Sequence, residues 1–302
     1  MSPKSKTAFV AIVGKANVGK SSILNKLIGS KIAIVSSKPQ TTRTRIMGVL
    51  TTEDGVQLVF TDTPGFHKPK TKLGEKMVQA VSDSISGVDC CMFVVDAADE
   101  KLNNAELELI NKFKTEKMPV ILAINKIDTV KEKTDLMKKI AEIASLYDFA
   151  AVVPVSAETG DGLKDLLDEL KNQAVESVHF FPDDTLTDQP ERVLAAEIIR
   201  EKTLRLLEDE IPHGIAVVIE KMKTRSDGSI CDIDASIVCE RESHKGIIIG
   251  KGGSMLKKIG TYARQDIEDM IEMKVNLKLF VKVRKDWRDS DTLVRNYGYK
   301  DE

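Results

Sequence analysis

Eight residues near the start of the chain, Gly14-Lys15-Ala16-Asn17-Val18-Gly19-Lys20-Ser21, satisfy the pattern G-x-x-x-x-G-K-[ST]. A short apolar run, Ala8 to Val13, leads into it, and Ser21 to Leu27 opens a helix behind it. A strand, a glycine loop and a helix N-terminus in that order make a phosphate cradle. Successive backbone N–H groups turn inward, and the helix end favours an anion. Gly14 and Gly19 permit the turn and the close approach. Lys20 places a point charge on the terminal phosphates, and Ser21 offers a hydroxyl to Mg²⁺. The expected nucleotide contacts are therefore Gly14, Lys15, Ala16, Asn17, Val18, Gly19, Lys20, Ser21 and Ser22.

The pattern that follows agrees with such a loop. Met47 to Leu50 and Val56 to Phe60 flank Asp54-Gly55, which predicts a hairpin. Cys91 to Val95, Val120 to Ile124 and Ala151 to Val155 read as buried strands. Helical spacing marks Met77 to Val88, Leu102 to Phe113, Leu136 to Leu146 and Leu163 to Val175. Strands alternating with helices predict an α/β domain, a mostly parallel sheet with helices on both faces. The alternation stops at His179 to Pro190, a stretch with Pro182, Pro190 and three aspartates that reads as a linker. A helix from Glu191 to about Leu207 follows, and the period then changes to two. Ile233, Ala235, Ile237 and Cys239 alternate with polar residues, as do Val275, Leu277, Leu279, Val281 and Val283. Between them, Met255, Ile259, Ala263, Ile267 and Met270 recur at helical spacing. This predicts a smaller α+β domain. The division read from the sequence is 1–178, a linker 179–190, a second domain 191–285 and a tail 286–302.

Composition limits the alternatives. The 302 residues carry a formal charge of −2 and are 42% hydrophobic, so affinity for nucleic acid must come from a local patch. The four cysteines include no C-x-x-C pair, and Cys231 and Cys239 on one strand would lie roughly 26 Å apart at ~3.3 Å per residue. Reduced thiols in a reducing compartment are expected. No apolar run of about 18 residues is present. Met1 to Lys6 is short and polar, which leaves no expected signal peptide.

Further motifs resemble those of the GTPase superfamily, in its order. Asp62-Thr63-Pro64-Gly65 follows the run Leu58 to Thr61; the resemblance implies that Asp62 holds Mg²⁺ through water and that the Gly65 N–H senses the γ-phosphate. Asn125-Lys126-Ile127-Asp128 matches N-K-x-D, with Asp128 accepting from the guanine ring; its plain alternative is a helix N-cap. Ser156-Ala157 resembles the element whose backbone reads the guanine carbonyl. Pro39-Gln40-Thr41-Thr42-Arg43 looks like a first switch, with Thr42 on Mg²⁺ and Thr41 the close alternative. Lys20, Thr42, Asp62 and Gly65 are the expected catalytic group, and Ser21, Thr42 and Asp62 the metal group. Phe66 stands where Ras-like enzymes carry a glutamine that orients water, so unassisted turnover is expected to be slow. Asn17 resembles the loop residue of relatives that bind K⁺ beside the phosphates, and equally reads as an asparagine bonding its own backbone.

A second signal lies in Gly246 to Gly253. There an isoleucine run, the turn Gly250-Lys251-Gly252-Gly253 and an amphipathic helix resemble a KH domain, whose G-x-x-G turn admits the backbone of four nucleotides. From Glu240 to Arg288, twelve Lys/Arg face seven Asp/Glu, a local charge of +5. Arg241, Lys245, Lys251, Lys257 and Lys258 are expected to serve RNA together with the turn. Trp287, Tyr297 and Tyr299 read either as base-stacking rings or as packing of the C-terminal tail, the latter favoured.

From Thr7 to the Gly298-Tyr299 tail, the order of parts resembles the Era family of bacterial GTPases. The resemblance implies a P-loop GTPase domain followed by a type II KH domain, acting on GTP and GDP with Mg²⁺ and, through Asn17, K⁺. It implies a ribosome assembly factor that binds the 3′ end of 16S rRNA and the small ribosomal subunit. It also implies a cytoplasmic chain that meets the inner membrane peripherally, read here as a monomer. Two other classes compete. One is an RNA-binding adaptor with vestigial hydrolysis, against which Lys20, Ser21, Asp62 and Asp128 all argue. The other is a membrane-cycle signalling GTPase, against which the lack of a lipidation motif argues.

Overall fold

The computed structural model describes residues 5–36, 38, 41–43, 45–65, 71–207 and 214–299. The chain forms two compact units. The first comprises Met1–Ala33, Thr42–Lys68 and Met77–Asp188, and the second Ile34–Thr41, Pro69–Lys76 and Gln189–Glu302.

The first unit is built on β1 (Lys6–Val13), α1 (Lys20–Ile28), β2 (Ile46–Thr51), β3 (Val56–Asp62), α2 (Lys72–Ile85, in this unit from Met77 onward), β4 (Cys90–Asp96), α3 (Asn104–Glu116), β5 (Val120–Asn125), α4 (Lys133–Ala144), β6 (Ala151–Pro154), α5 (Leu163–Asn172) and β7 (Val175–Glu176). The sheet order is β2-β3-β1-β4-β5-β6, with β7 beside β1. The β2–β3 hairpin is antiparallel, as Asp54-Gly55 predicts, and Gly55 takes the left-handed φ of 79°. The β3–β1–β4–β5–β6 ladders are parallel. Alternation along β1 sends side chains to both faces. Val10 and Ile12 join Ile23, Leu24 and Leu166 on one side. Ala11 and Val13 join Val81, Ile85, Leu109 and Phe113 on the other. Because helices cover both faces, the central strands carry almost no polar side chains. Two-residue β7 was not legible in advance. It pairs antiparallel with Lys6 and Thr7, whereas the β1–β4 pairing begins only at Val10.

Residues 179–190, read as a linker, are mostly docked on this unit. The fully buried Gln57 amide accepts from Phe180 N (2.8 Å) and Phe181 N (3.1 Å) and donates to the Phe181 carbonyl (2.9 Å). Val49 N donates to the Leu186 carbonyl, and Thr187 Oγ1 to that of Met47. Phe180 packs edge-on to Phe9. The prolines and aspartates signalled irregular backbone, and irregular backbone is still tied down when its polar groups find partners.

The second unit holds α6 (Glu191–Leu206), β8 (Ala216–Thr224), β9 (Ile230–Cys239), α7 (Glu242–Ile249), α8 (Ser254–Ile271), β10 (Lys274–Val283) and α9 (Asp291–Asn296). Its sheet runs β10-β9-β8; β8 is antiparallel to β9, and β10 is parallel to it. One sheet face, with Ile233, Ala235 and Ile237, packs on Ala195, Ile198 and Ile199 of α6 and Ile259, Ala263 and Ile267 of α8. α6 is buried over much of its length, so its charged residues need partners. Arg200, fully buried, pairs with Glu197 and donates to the Thr41 carbonyl, and Glu201 accepts from Val35 N, all within this unit. The aromatic tail packs rather than offering rings to bases. Trp287 is fully buried, donates Nε1–H to the Gly214 carbonyl (2.9 Å), stacks on Tyr299 and meets Tyr297 edge-on. All four cysteines are buried free thiols, with Cys231 and Cys239 both on β9. Among the described residues, no helix is long and apolar enough to cross a membrane.

Candidate functional site

The glycine loop leaves β1 at its C-terminal end, where parallel sheets place ligands. Two glycines are required by space as well as by conformation. A Cβ on Gly14 would stand 2.3 Å from the Val94 carbonyl oxygen, and one on Gly19 2.1 Å from Asn125 Nδ2. Gly19 caps α1 without a side-chain bond, so the first N–H groups of that helix are left to the loop's concave side. Val18 is fully buried in the core and anchors the loop, while Asn17 sits at its exposed tip with φ 66°. Asparagine tolerates that left-handed conformation better than most residues. Lys15 pairs with Asp99. Ala16 lies against Gly65, whose added Cβ would come within 2.5 Å of the Ala16 Cα. Ser22 is half-buried in the first turn of α1.

Lys20 is buried, and its ammonium donates to the carbonyls of Gly14 and Lys15 at 3.0 Å each. Burial lowers its pKa to about 8, against the attraction of Asp62 and Glu106. Ser21 Oγ donates to Asp62 Oδ2 at 2.5 Å and stands 3.0 Å from Thr42 Oγ1. Asp62 is fully buried at the end of β3, and burial pushes its carboxyl up to about 6 in spite of Lys20. Its Oδ1 is buried with no hydrogen-bond partner. Two hydroxyls and a desolvated carboxylate with an orphaned oxygen form the hard-oxygen donor set that Mg²⁺ takes alongside phosphate and water. The expected metal group of Ser21, Thr42 and Asp62 is therefore brought together and fits the ion. Thr41, the alternative, turns its hydroxyl to the Lys38 carbonyl (2.6 Å). Pro39, Gln40 and Phe66, on which the switch and the missing glutamine were read, lie outside the described residues.

The expected base-recognition motifs meet at the ends of β5 and β6. Asn125 is buried and bridges two loops, donating Nδ2–H to the Val18 carbonyl (2.7 Å) and accepting Ala157 N at Oδ1 (3.0 Å). Lys126, at φ 66°, reaches Asp96 Oδ2 at 2.6 Å. Ser156 is fully buried; its Oγ donates to Asp128 Oδ1 (2.5 Å) and accepts Thr159 N (3.1 Å). Asp128 itself is exposed and lies inside the 3₁₀ turn Ile127–Thr129, whose N-cap is Lys126. Asp96, Asp99, Glu106 and Lys139 support these loops and were not singled out in the sequence. The one available signal was an Asp-Ala-Ala-Asp turn closing a wholly apolar strand.

In the second unit the glycine turn lies between α7 and α8. A Cβ on Gly250 (φ 72°) would come within 2.8 Å of Met255 Cβ, whereas Gly252 (φ 60°) and Gly253 (φ 80°) face open space. Lys251 and Gly252 are exposed at the tip. A groove of about 400 Å³ runs from Gly253 between α8 and β10, bordered by Leu256, Lys257, Gly260, Arg264 and Leu279. Lys257 thus shares the groove with the turn. Lys258 lies one residue round the helix, with its ammonium over the Tyr262 ring. Lys245 is half-buried on α7. Arg241, expected near the turn, is the N-cap of α7, and that eight-residue helix spans about 12 Å at 1.5 Å per residue. The sequence showed the isoleucines of this stretch but not the helix that separates its two ends.

Comparison with known proteins finds matches to both parts of the chain. A family model described as 50S ribosome-binding GTPase matches residues 9–126, and one described as KH domain matches 210–288. A protein named GTPase Era from Clostridioides difficile (strain 630) is 50% identical over 300 residues, covering 98% of this chain and 99% of that protein. Its namesake from Ruminiclostridium cellulolyticum is 49% identical over 295 residues, covering 98% of each. Among solved structures, Era in complex with MgGDPNP and nucleotides 1506–1542 of 16S ribosomal RNA is 40% identical, with a TM-score of 0.93 over 98% of this chain and 99% of that one. Aquifex aeolicus Era bound to GDP·AlF4⁻ matches with the same TM-score of 0.93 at 40% identity, covering 97% and 99%.

Proposed function

The chain belongs to the Era family of GTPases, and from that premise we propose that it hydrolyses GTP to GDP and phosphate at the loop Gly14–Ser21 and couples its nucleotide state to RNA held at Gly250–Gly253. The observation that carries the reading is the convergence of Ser21, Thr42 and Asp62, with the Asp62 Oδ1 oxygen buried and unsatisfied.

Mg²⁺, when bound with GTP, neutralises charge on the phosphates and leaves the terminal phosphorus open to water. The residues do the rest. Backbone N–H groups from Gly14 to Ser21 bind the phosphates, and Lys20 adds its charge where negative charge builds up. Ser21 and Thr42 would hold the ion through their hydroxyls, with the Asp62 carboxylate beside them. Asp128, oriented by Ser156, accepts from the guanine ring, and Asn125 holds that motif to the phosphate loop. Gly65, pressed against Ala16, reports the terminal phosphate.

For the RNA, we propose the 3′ end of 16S rRNA within the assembling small ribosomal subunit, with Gly250, Lys251, Gly252, Gly253 and Lys257 at the backbone and Lys245, Lys258 and Arg241 further out. The support is the relative solved with nucleotides 1506–1542, which spans both units; the 50S description attaches to residues 9–126 alone. We place the protein in the cytoplasm with peripheral contact at the inner membrane, on family grounds, and vesicle flotation tests that contact. The reading as a whole is tested by phosphate release from GTP, with and without a 16S 3′-end oligonucleotide. Turnover is expected in wild type and not in Lys20→Met. Equal rates in the two proteins would refute it.

A further inference from the structure

Lys139, on α4, belongs to none of the expected ligand motifs and yet is buried against the turn that joins two of them. Its ammonium donates to three main-chain carbonyls of a single turn: Asp96 (2.6 Å), Ala97 (3.2 Å) and Asp99. Three donors on one ammonium match three carbonyls, a fit that a planar guanidinium cannot copy. Burying a lysine is costly, and desolvation lowers its pKa, opposed by Asp99, Asp96 and Glu106. Glu106 is itself fully buried. One oxygen accepts from Asn103 N in the α3 capping box, and the other has no hydrogen-bond partner. Lys139 and Glu106 are thus two buried ionisable groups near enough to influence each other, and all three of the lysine's bonds go to one four-residue turn. An arrangement so costly implies that the turn's position matters.

The side chains of that turn point to both ligand loops. Asp99 pairs with Lys15, the second residue of the phosphate loop, at 2.5 Å. Asp96 Oδ2 accepts from Lys126 of the base motif at 2.6 Å, and its Oδ1 accepts Ala98 N at 2.9 Å. Ala97 N donates to the carbonyl of Asn125 at 2.7 Å. The phosphate loop and the base motif therefore share one support, held from below by one ammonium.

We propose that Lys139 is a positioning residue for the nucleotide: by locking the turn Asp96–Asp99 it sets the phosphate loop through Lys15 and the base motif through Lys126. This rests on the reading that those two loops hold a guanine nucleotide. Lys139→Met keeps the stem and removes the donors. GDP release, followed with a fluorescent analogue, should quicken by about tenfold, the worth of roughly one charge-assisted hydrogen bond. Preference for GDP over inosine diphosphate, which lacks the exocyclic amine, should fall. Turnover at saturating GTP should change less than GDP release, because Ser21, Thr42 and Asp62 bond one another rather than the turn. Asp99→Asn separates the two arms: it should quicken GDP release and leave the base preference unchanged. Wild-type release and wild-type base preference in Lys139→Met would overturn the inference. So would a loss of binding in Lys139→Met that only follows a lower melting temperature of the nucleotide-free protein, with Asp99→Asn silent. Absence of GDP binding by the wild-type protein would overturn the site reading beneath it.

Discussion

Replacing Asp128 by asparagine should exchange guanine preference for xanthine preference, and the structure dictates how the new amide points. Ser156 is buried, and its oxygen already accepts Thr159 N, so its single proton goes to residue 128. In the variant only the amide carbonyl can accept that proton. The NH₂ group must then turn outward, to the place where the carboxylate met the ring. Xanthine carries a carbonyl where guanine carries its exocyclic amine, so an outward donor suits xanthine and opposes guanine. Both rings carry N1–H, which the amide carbonyl can still accept, so guanine loses the bond to its exocyclic amine; a hydrogen bond to a charged group is worth about 1.5–3 kcal/mol, or roughly one to two powers of ten in GTP affinity. Competition of GTP and XTP against a fluorescent GDP analogue measures the exchange. Adding Ser156→Ala to the variant should erase part of the XTP gain, because the amide is then released to rotate. An unchanged preference for GTP over XTP in Asp128→Asn would refute the assignment.

Three further outcomes follow from the same geometry. Gly65→Ala forces a Cβ to within 2.5 Å of the Ala16 backbone, and such overpacking costs about 1–3 kcal/mol; hydrolysis should fall by about five- to a hundredfold while the nucleotide-free protein stays folded, as single-turnover rates and melting will show. If Asn17 holds a cation, K⁺ should speed hydrolysis over Na⁺ and Asn17→Ala should abolish the difference, whereas equal rates in both salts assign Asn17 to loop structure. Gly252→Asp is the cleaner test of the RNA turn, because Gly252 faces open space in a left-handed conformation that aspartate tolerates, while Gly250 abuts Met255; RNA affinity should collapse with GTP affinity near wild type.

What the sequence revealed depended on how local the physics was. The glycine loop, the hairpin at Asp54-Gly55 and the two-period strands β9 and β10 are set by residues next to one another, and each was legible. Thr42 was separated from Thr41 only by its distance to Ser21, which no spacing contains. β7 is two residues long and exists because β1 has an open edge there. α7 was hidden by its own isoleucines, whose run carries no helical period; only Ile248 among its residues is buried. The 179–190 stretch has the composition of a linker, and its docking depends on the Gln57 amide more than a hundred residues earlier in the chain. Lys139 looked like any surface lysine of an amphipathic helix, since the carbonyls that surround it belong to a turn some forty residues away.

The central claim is that one chain makes RNA binding depend on its nucleotide. The most direct measurement is the affinity for a 16S 3′-end oligonucleotide in three states: empty, with GDP, and with a non-hydrolysable GTP analogue. The account predicts different affinities in the GDP and analogue states. It also predicts that RNA changes the ratio of nucleotide affinities by the same factor, because coupling between two binding sites is reciprocal. Equal RNA affinity in all three states would contradict it and leave two independent modules on one chain.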